Sequence, residues 1–147
     1  ANEGARFDDA FVENSLSTPA RACLLTGLYS HQNGQRTLGK GIDSTKTFVS
    51  ELLQDAGYQT GVVGKWHMQC RPKGFDFFRI FEGQGDYYNP LVLSHDSNGK
   101  YEREQGYATD IVTEHAVEFL NQRDEQKPFF LLVEHKAPHR TWMPNLK

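Results

Sequence analysis

Three short stretches gather residues able to handle an oxyanion. The first, Ser17-Thr18-Pro19-Ala20-Arg21, sets a hydroxyl at the start of an expected helix. Free backbone N–H groups and the helix dipole favour negative charge there. Arg21 follows one turn later and can aim a planar fork at an oxyanion or at position 17 itself. The second stretch, Lys65-Trp66-His67, separates a fixed cation from a titratable imidazole by one residue. On extended backbone i and i+2 share a side. The third, His135-Lys136-Ala137-Pro138-His139, follows an expected strand, and Pro138 restrains the backbone ahead of His139. Zinc would require further protein ligands, and no Cys or Glu/His cluster nearby supplies them. Each stretch alone has an ordinary reading: a capped helix with a surface Arg, a surface Lys beside a core-edge His, a polar loop. Together they suit one anion that is cradled and protonated, which points to a sulfate or phosphate ester.

The frame must bring these stretches together. Residues 7–12 are apolar-rich and read as a short strand. Ser17-Thr18-Pro19 opens a helix with Ser or Thr at the N-cap and Pro at its first position, running to about Thr26 and stopped by Gly27. Residues 37–46 read as an exposed loop. Phe48, Leu52, Leu53 and Ala56 recur at helical spacing before Gly57. Residues 58–63 are β-branched and strand-like. Residues 71–105 are rich in Gly, Asp and Tyr and read mostly as loop with one hairpin. Ala108, Ile111, Val112, Ala116, Phe119 and Leu120 form one helical face, with Asp110, Glu114 and Glu118 opposite. Residues 129–133 read as a buried strand. This alternation is that of an α/β domain with a partly parallel sheet. Ligands of such sheets bind at the carboxyl ends of the strands. The residues just after the two best strands are Gly64-Lys65-Trp66-His67 and Glu134-His135-Lys136-Ala137-Pro138-His139.

The composition fits a single globular domain. The chain has 147 residues, 37% hydrophobic and 12% aromatic, with 16 Lys and Arg against 19 Asp and Glu for a net charge of −3. That aromatic content argues against disorder. No Lys/Arg block marks a nucleic-acid surface, and no apolar run approaches the roughly 20 residues of a bilayer span. Two cysteines, Cys23 and Cys70, make neither a disulfide framework nor a zinc cluster. Cys23 reads as core. Residues 1–6 hold no apolar stretch of signal-peptide type and read as a helix end with Gly4 at its C′ position. The chain reads as part of a longer protein.

At this point a resemblance becomes specific. Ser17-x-Pro19-Ala20-Arg21-x-x-Leu24-x-Thr26-Gly27 resembles the type I sulfatase signature (C/S)-x-P-(S/A)-R-x-x-L-x-T-G. Glu3-Gly4-Ala5-Arg6-Phe7 precedes it as the family's "EG-x-x-F" segment does, and Tyr29-Ser30-His31-Gln32-Asn33-Gly34 follows as its "Y-x-H-x-N-G" does. Leu52-Leu53-Gln54-Asp55-Ala56-Gly57-Tyr58 and Gly61-Val62-Val63-Gly64-Lys65-Trp66-His67 resemble the family's "L-x-x-A-G-Y" and "GKWH" segments. Ala137-Pro138-His139 resembles its later "PH" loop, and the order is kept from residue 1 to about 144.

The resemblance implies an alkaline-phosphatase-like α/β fold, a mixed and largely parallel sheet flanked by helices, of which residues 1–147 form one part. It implies a sulfuric ester hydrolase acting on sulfated carbohydrates, of the bacterial type in which a serine is oxidised to formylglycine by an anaerobic maturase. Here that serine is Ser17. The aldehyde hydrates, one hydroxyl attacks sulfur, and the other collapses to expel sulfate. Arg21 is implied to orient the hydrate, Lys65 to neutralise sulfate oxygens, and His67 to take the proton in the elimination. His139 is implied to contact sulfate and protonate the leaving alcohol. His135 and Lys136 are implied to help bind the leaving group, and Arg140 and Trp142 to contact the sugar. Family members also bind calcium. Of its ligands this sequence matches only position 17, because the carboxylate pairs and a late Lys have no counterpart here. The chain alone is expected to bind calcium poorly, to turn over little and to expose strand edges. Export to the periplasm or medium is expected by analogy. Two alternatives share these residues: a phosphonate or phosphate ester hydrolase of the same superfamily, and a non-catalytic anion-binding relative never oxidised at Ser17.

Overall fold

A computed structural model of the chain describes residues 3–146. Its elements, in chain order, are α1 (Ser17–Thr26), α2 (Ser30–Asn33), α3 (Val49–Asp55), β1 (Gln59–Gly64), β2 (Phe77–Phe81), β3 (Leu91–Ser94), β4 (Tyr101–Arg103), α4 (Ala108–Gln122) and β5 (Phe129–Glu134). The strands form one sheet in the order β4-β3-β2-β1-β5. β1 runs parallel to both β2 and β5, while β3 and β4 double back in turn, so four of the five strands point the same way. The expected mixed, mostly parallel α/β sheet is therefore present.

Alternation along the strands builds a core on each face. Val62, Phe78, Ile80 and Leu93 pack with Ala22, Leu25 and Phe48 from the α1 and α3 side. Val63, Phe77, Phe81 and Val92 pack with Ile111, Val112, Ala116 and Phe119 of α4. The period-2 geometry of a strand divides neighbouring residues between these layers. At Gly64 the strands β1 and β5 come so close that a Cβ would lie 2.2 Å from the Glu134 carbonyl oxygen. Only glycine fits there, and its φ of +93° turns the chain out of β1 toward Lys65 and His67.

Several sequence expectations change. Residues 7–12 form no strand. Phe7, Phe11 and Val12 stand 82%, 91% and 76% exposed, with no neighbouring strand to pair them. Residues 71–105 are not mostly loop, for they contain β2, β3 and β4. The helix α1 begins at Ser17 with Leu16 as its N-cap and no side-chain cap, which puts Pro19 at its third position. Thr18 spends its hydroxyl elsewhere, as described below. β5 is an outer strand with its side chains only partly covered, not a buried one. The expectation of exposed strand edges holds there. Residues 3–6 are irregular, and the remainder of the expected helix end, Ala1 and Asn2, lies outside the described residues. On α4, Glu118 leaves the solvent face and pairs with Arg79 of β2.

Candidate active site

Because β1, β2 and β5 are parallel, their carboxyl ends open onto one edge, and α1 lays its first turn across that edge. Ser17 Oγ lies 3.3 Å from His67 Nδ1 across fifty positions of sequence. Thr18, fully buried, donates from Oγ1 to the His67 carbonyl at 3.0 Å. That bond fixes a backbone that takes φ +53° at His67, unusual for a residue with a side chain. A threonine at the start of α1 thus orients the imidazole instead of capping the helix.

The cations come from three elements. Arg21, one turn into α1, pairs with Glu134 at the end of β5 with 2.9 Å between Nη1 and Oε2. It lines a shallow hollow of about 230 Å³ with Ser17, Ala20, Leu24 and Glu134. Lys65 follows β1 and donates its backbone N–H to the Glu134 carbonyl at 2.8 Å. Its side chain is buried, and burial, then the nearby charges of Arg21 and Lys136, push its ammonium down to about 8 against a partial counterweight from Glu134. Lys136, also buried, donates to the Gln84 carbonyl at 3.3 Å and stands 5.0 Å over the Tyr87 ring. Burial lowers its pKa, and Asp86 opposes the shift.

His67 is held below the usual imidazole range by burial first and then by the charges of Lys65, Arg21 and His139. It is therefore neutral at pH 7 and can accept a proton. His139 sits in the loop after β5. Its N–H bonds the Lys136 carbonyl at 3.0 Å, and its own carbonyl accepts from the Tyr87 hydroxyl at 2.6 Å. Its Nδ1 contacts the Arg140 carbonyl. The sequence-derived set divides accordingly. Ser17, Arg21, Lys65, His67, Lys136 and His139 gather at one edge, whereas His135, Arg140 and Trp142 stand exposed in the segment from the end of β5 onward.

Three residues of the site were not singled out from sequence: Thr18, Glu134 and Gln84. Gln84 lies in the turn after β2, with Nε2 at 3.3 Å from His67 Nε2 and 3.5 Å from its Nδ1. It falls in the stretch read from sequence as mostly loop, and the parallel pairing of β2 with β1 is what brings its turn to His67.

Calcium does not fit the residues present. Among the described residues no group of three or more His, Cys, Asp or Glu is placed to hold a metal ion. The Glu134 carboxylate is engaged by Arg21, and Ser17 offers one oxygen where calcium takes six to eight. No helix among the described residues is long and apolar enough to cross a membrane.

Comparison with known proteins gives consistent results. The protein-family model described as "Sulfatase" matches residues 1–146. An N-acetylglucosamine-6-O-sulfatase of Bacteroides thetaiotaomicron is 48% identical, in an alignment covering 98% of this chain and 26% of that protein. Human N-acetylglucosamine-6-sulfatase is 30% identical, over 95% of this chain and 29% of its own length. A protein solved in complex with its substrate D-glucosamine-2-N,6-O-disulfate superposes with a TM-score of 0.91 at 48% identity, covering 98% of this chain and 29% of that one. The chain thus spans between a quarter and a third of the length of these relatives.

Proposed function

The chain belongs to the sulfatase family, and from that premise we propose that it carries the nucleophile end of an enzyme hydrolysing carbohydrate sulfate esters. The substrate we infer is a glucosamine bearing a 6-O-sulfate, which the 48% identity to the Bacteroides enzyme supports. The observation that carries the reading is the charge around Ser17. Arg21, Lys65 and Lys136 converge on one edge, with Glu134 paired to Arg21 and Asp86 acting on Lys136, and three cations so close together suit a bound anion. A sulfate group is an anion of that kind.

In this reading Ser17 is the precursor of formylglycine, made by an anaerobic maturase. The oxidised residue supplies a hydrated nucleophile and a route for releasing sulfate. The chain's other residues act around it. Ser17 Oγ lies 3.3 Å from His67 Nδ1, so the neutral imidazole takes the proton of the group at position 17. Lys65, itself buried, balances charge on the non-bridging oxygens. Arg21, held by Glu134, keeps a fixed orientation beside position 17. His139 protonates the departing alcohol, and His135, Lys136, Arg140 and Trp142 face the sugar. Export of the protein belongs to the same proposal.

The test is product release by the whole protein purified from its own host. Sulfate freed from a 6-O-sulfated glucosamine, with no phosphate freed from the matching phosphate ester, is the expected result. The reverse preference supports the phosphate-ester alternative. Binding of the sulfated sugar without turnover supports the non-catalytic one.

A further inference from the structure

The turn that follows β2 is built to hold one side chain against His67. Gly85 donates its N–H to the Glu82 carbonyl at 2.8 Å, closing the turn directly at the strand end. Gly85 has φ +71°, and a Cβ there would lie 2.6 Å from a ring carbon of Phe81, so the turn tolerates no larger residue. From the other side Lys136 donates to the Gln84 carbonyl at 3.3 Å and ties the turn to the end of β5. Residue 84 is thus fixed between two strand ends, with its amide 3.3 Å from His67 Nε2. Its Oε1 is buried and has no hydrogen-bond partner among the described residues.

A neutral imidazole carries one N–H. To accept a proton from position 17, His67 needs a bare Nδ1, since Ser17 Oγ approaches that nitrogen. The hydrogen then resides on Nε2 and requires an acceptor. Thr18 favours the opposite tautomer. Its hydroxyl hydrogen is committed to the His67 carbonyl, so toward Nδ1, 3.4 Å away, it offers a lone pair that an Nδ1–H would satisfy. A half-turn of the Gln84 amide about its Cγ–Cδ bond exchanges oxygen and nitrogen with hardly any change of shape. It brings the unpartnered oxygen onto Nε2–H.

We propose that Gln84 is a positioning residue: its side-chain carbonyl accepts from His67 Nε2–H and keeps Nδ1 bare toward position 17. The inference rests on the reading of His67 as proton acceptor. Second contacts of this kind commonly fix which ring nitrogen acts.

The test uses the whole protein with 15N-labelled histidine, compared with Gln84→Leu and Gln84→Glu. Ring-nitrogen chemical shifts should report the Nε2–H tautomer of His67 in the wild type and in Gln84→Glu, which keeps an acceptor. Gln84→Leu should lose that tautomer while its melting temperature stays close to wild type. In sulfate release, Gln84→Leu should lose about 10- to 100-fold in kcat with little change in KM, and Gln84→Glu should recover most of it. An Nδ1–H tautomer in the wild type overturns the inference, as does Gln84→Leu with unchanged tautomer and kcat. Should the wild type release no sulfate, the sulfatase reading alone fails, because the tautomer is read without turnover.

Discussion

Two charged clusters decorate the same sheet and are finished differently. On β2, Arg79 makes a two-pronged contact with Glu118 of α4 at 2.8 and 3.0 Å, bonds Ser94 Oγ at 3.0 Å, and has Asp96 at 3.9 Å. Its donors are matched, its pKa is raised chiefly by the Glu118 hydrogen bonds, and that of Glu118 is lowered by the same contacts. At the strand ends Arg21, Lys65 and Lys136 converge with Glu134 between them, and burial leaves Lys65 at about 8. The first cluster is complete as folded. The second holds three cations close together, and in the proposed reading their further partner is the sulfate of the substrate. Perturbed groups mark function where the perturbation goes uncompensated, and structure where a partner has been supplied.

Changes in the two clusters should therefore have opposite signatures. The largest effect is expected from Ser17→Ala, which should abolish turnover by at least about 10³-fold while leaving sulfated-sugar binding measurable by calorimetry. Lys65→Met should lower kcat/KM for sulfate release by roughly 10²-fold and leave the melting temperature unchanged or raised, because it removes a buried cation and keeps the bulk. Loss of stability with full activity would place Lys65 in the structural class instead.

Glu118→Gln should do the reverse, losing about 1.5–3 kcal/mol in urea unfolding with sulfate release unaffected. The lowered pKa of Glu118 adds a sign. Its contribution is complete above the unfolded value near 4.5 and is lost as pH falls through the lower folded value, so wild type and Glu118→Gln should converge in stability in acid. The smallest effect concerns alkali. Lys65 holds its proton below about 8, so affinity for inorganic sulfate should fall as pH rises past that point, by at most tenfold per unit. Lys65→Met should flatten that limb of the titration.

What was legible in the sequence follows the same division. The residues following β1 and β5 and the start of α1 were readable because each local motif is dictated by its own spacing. Their convergence required only that both strands be parallel. The order of β2, β3 and β4 was hidden because Phe77-Phe78-Arg79-Ile80-Phe81 is buried on both faces, shows no alternation of apolar and polar residues, and sits in a Gly- and Asp-rich stretch. Gln84 was hidden with them. Residues 7–12 failed in the other direction: apolar composition makes a strand only where a neighbour offers hydrogen bonds, and Phe7 and Phe11 stand exposed without one. Glu118 read as a solvent-facing residue, since its tie to Arg79 depends on how α4 lies over β2.

The central claim is that Ser17 is a nucleophile in waiting beside an anion pocket. It is tested most directly by mass spectrometry of the tryptic peptide spanning residues 7–21, taken from the whole protein made in its own host without oxygen. The account predicts a peptide lighter by two hydrogens at Ser17, or its hydrate. An unmodified serine in every preparation that releases sulfate would contradict it.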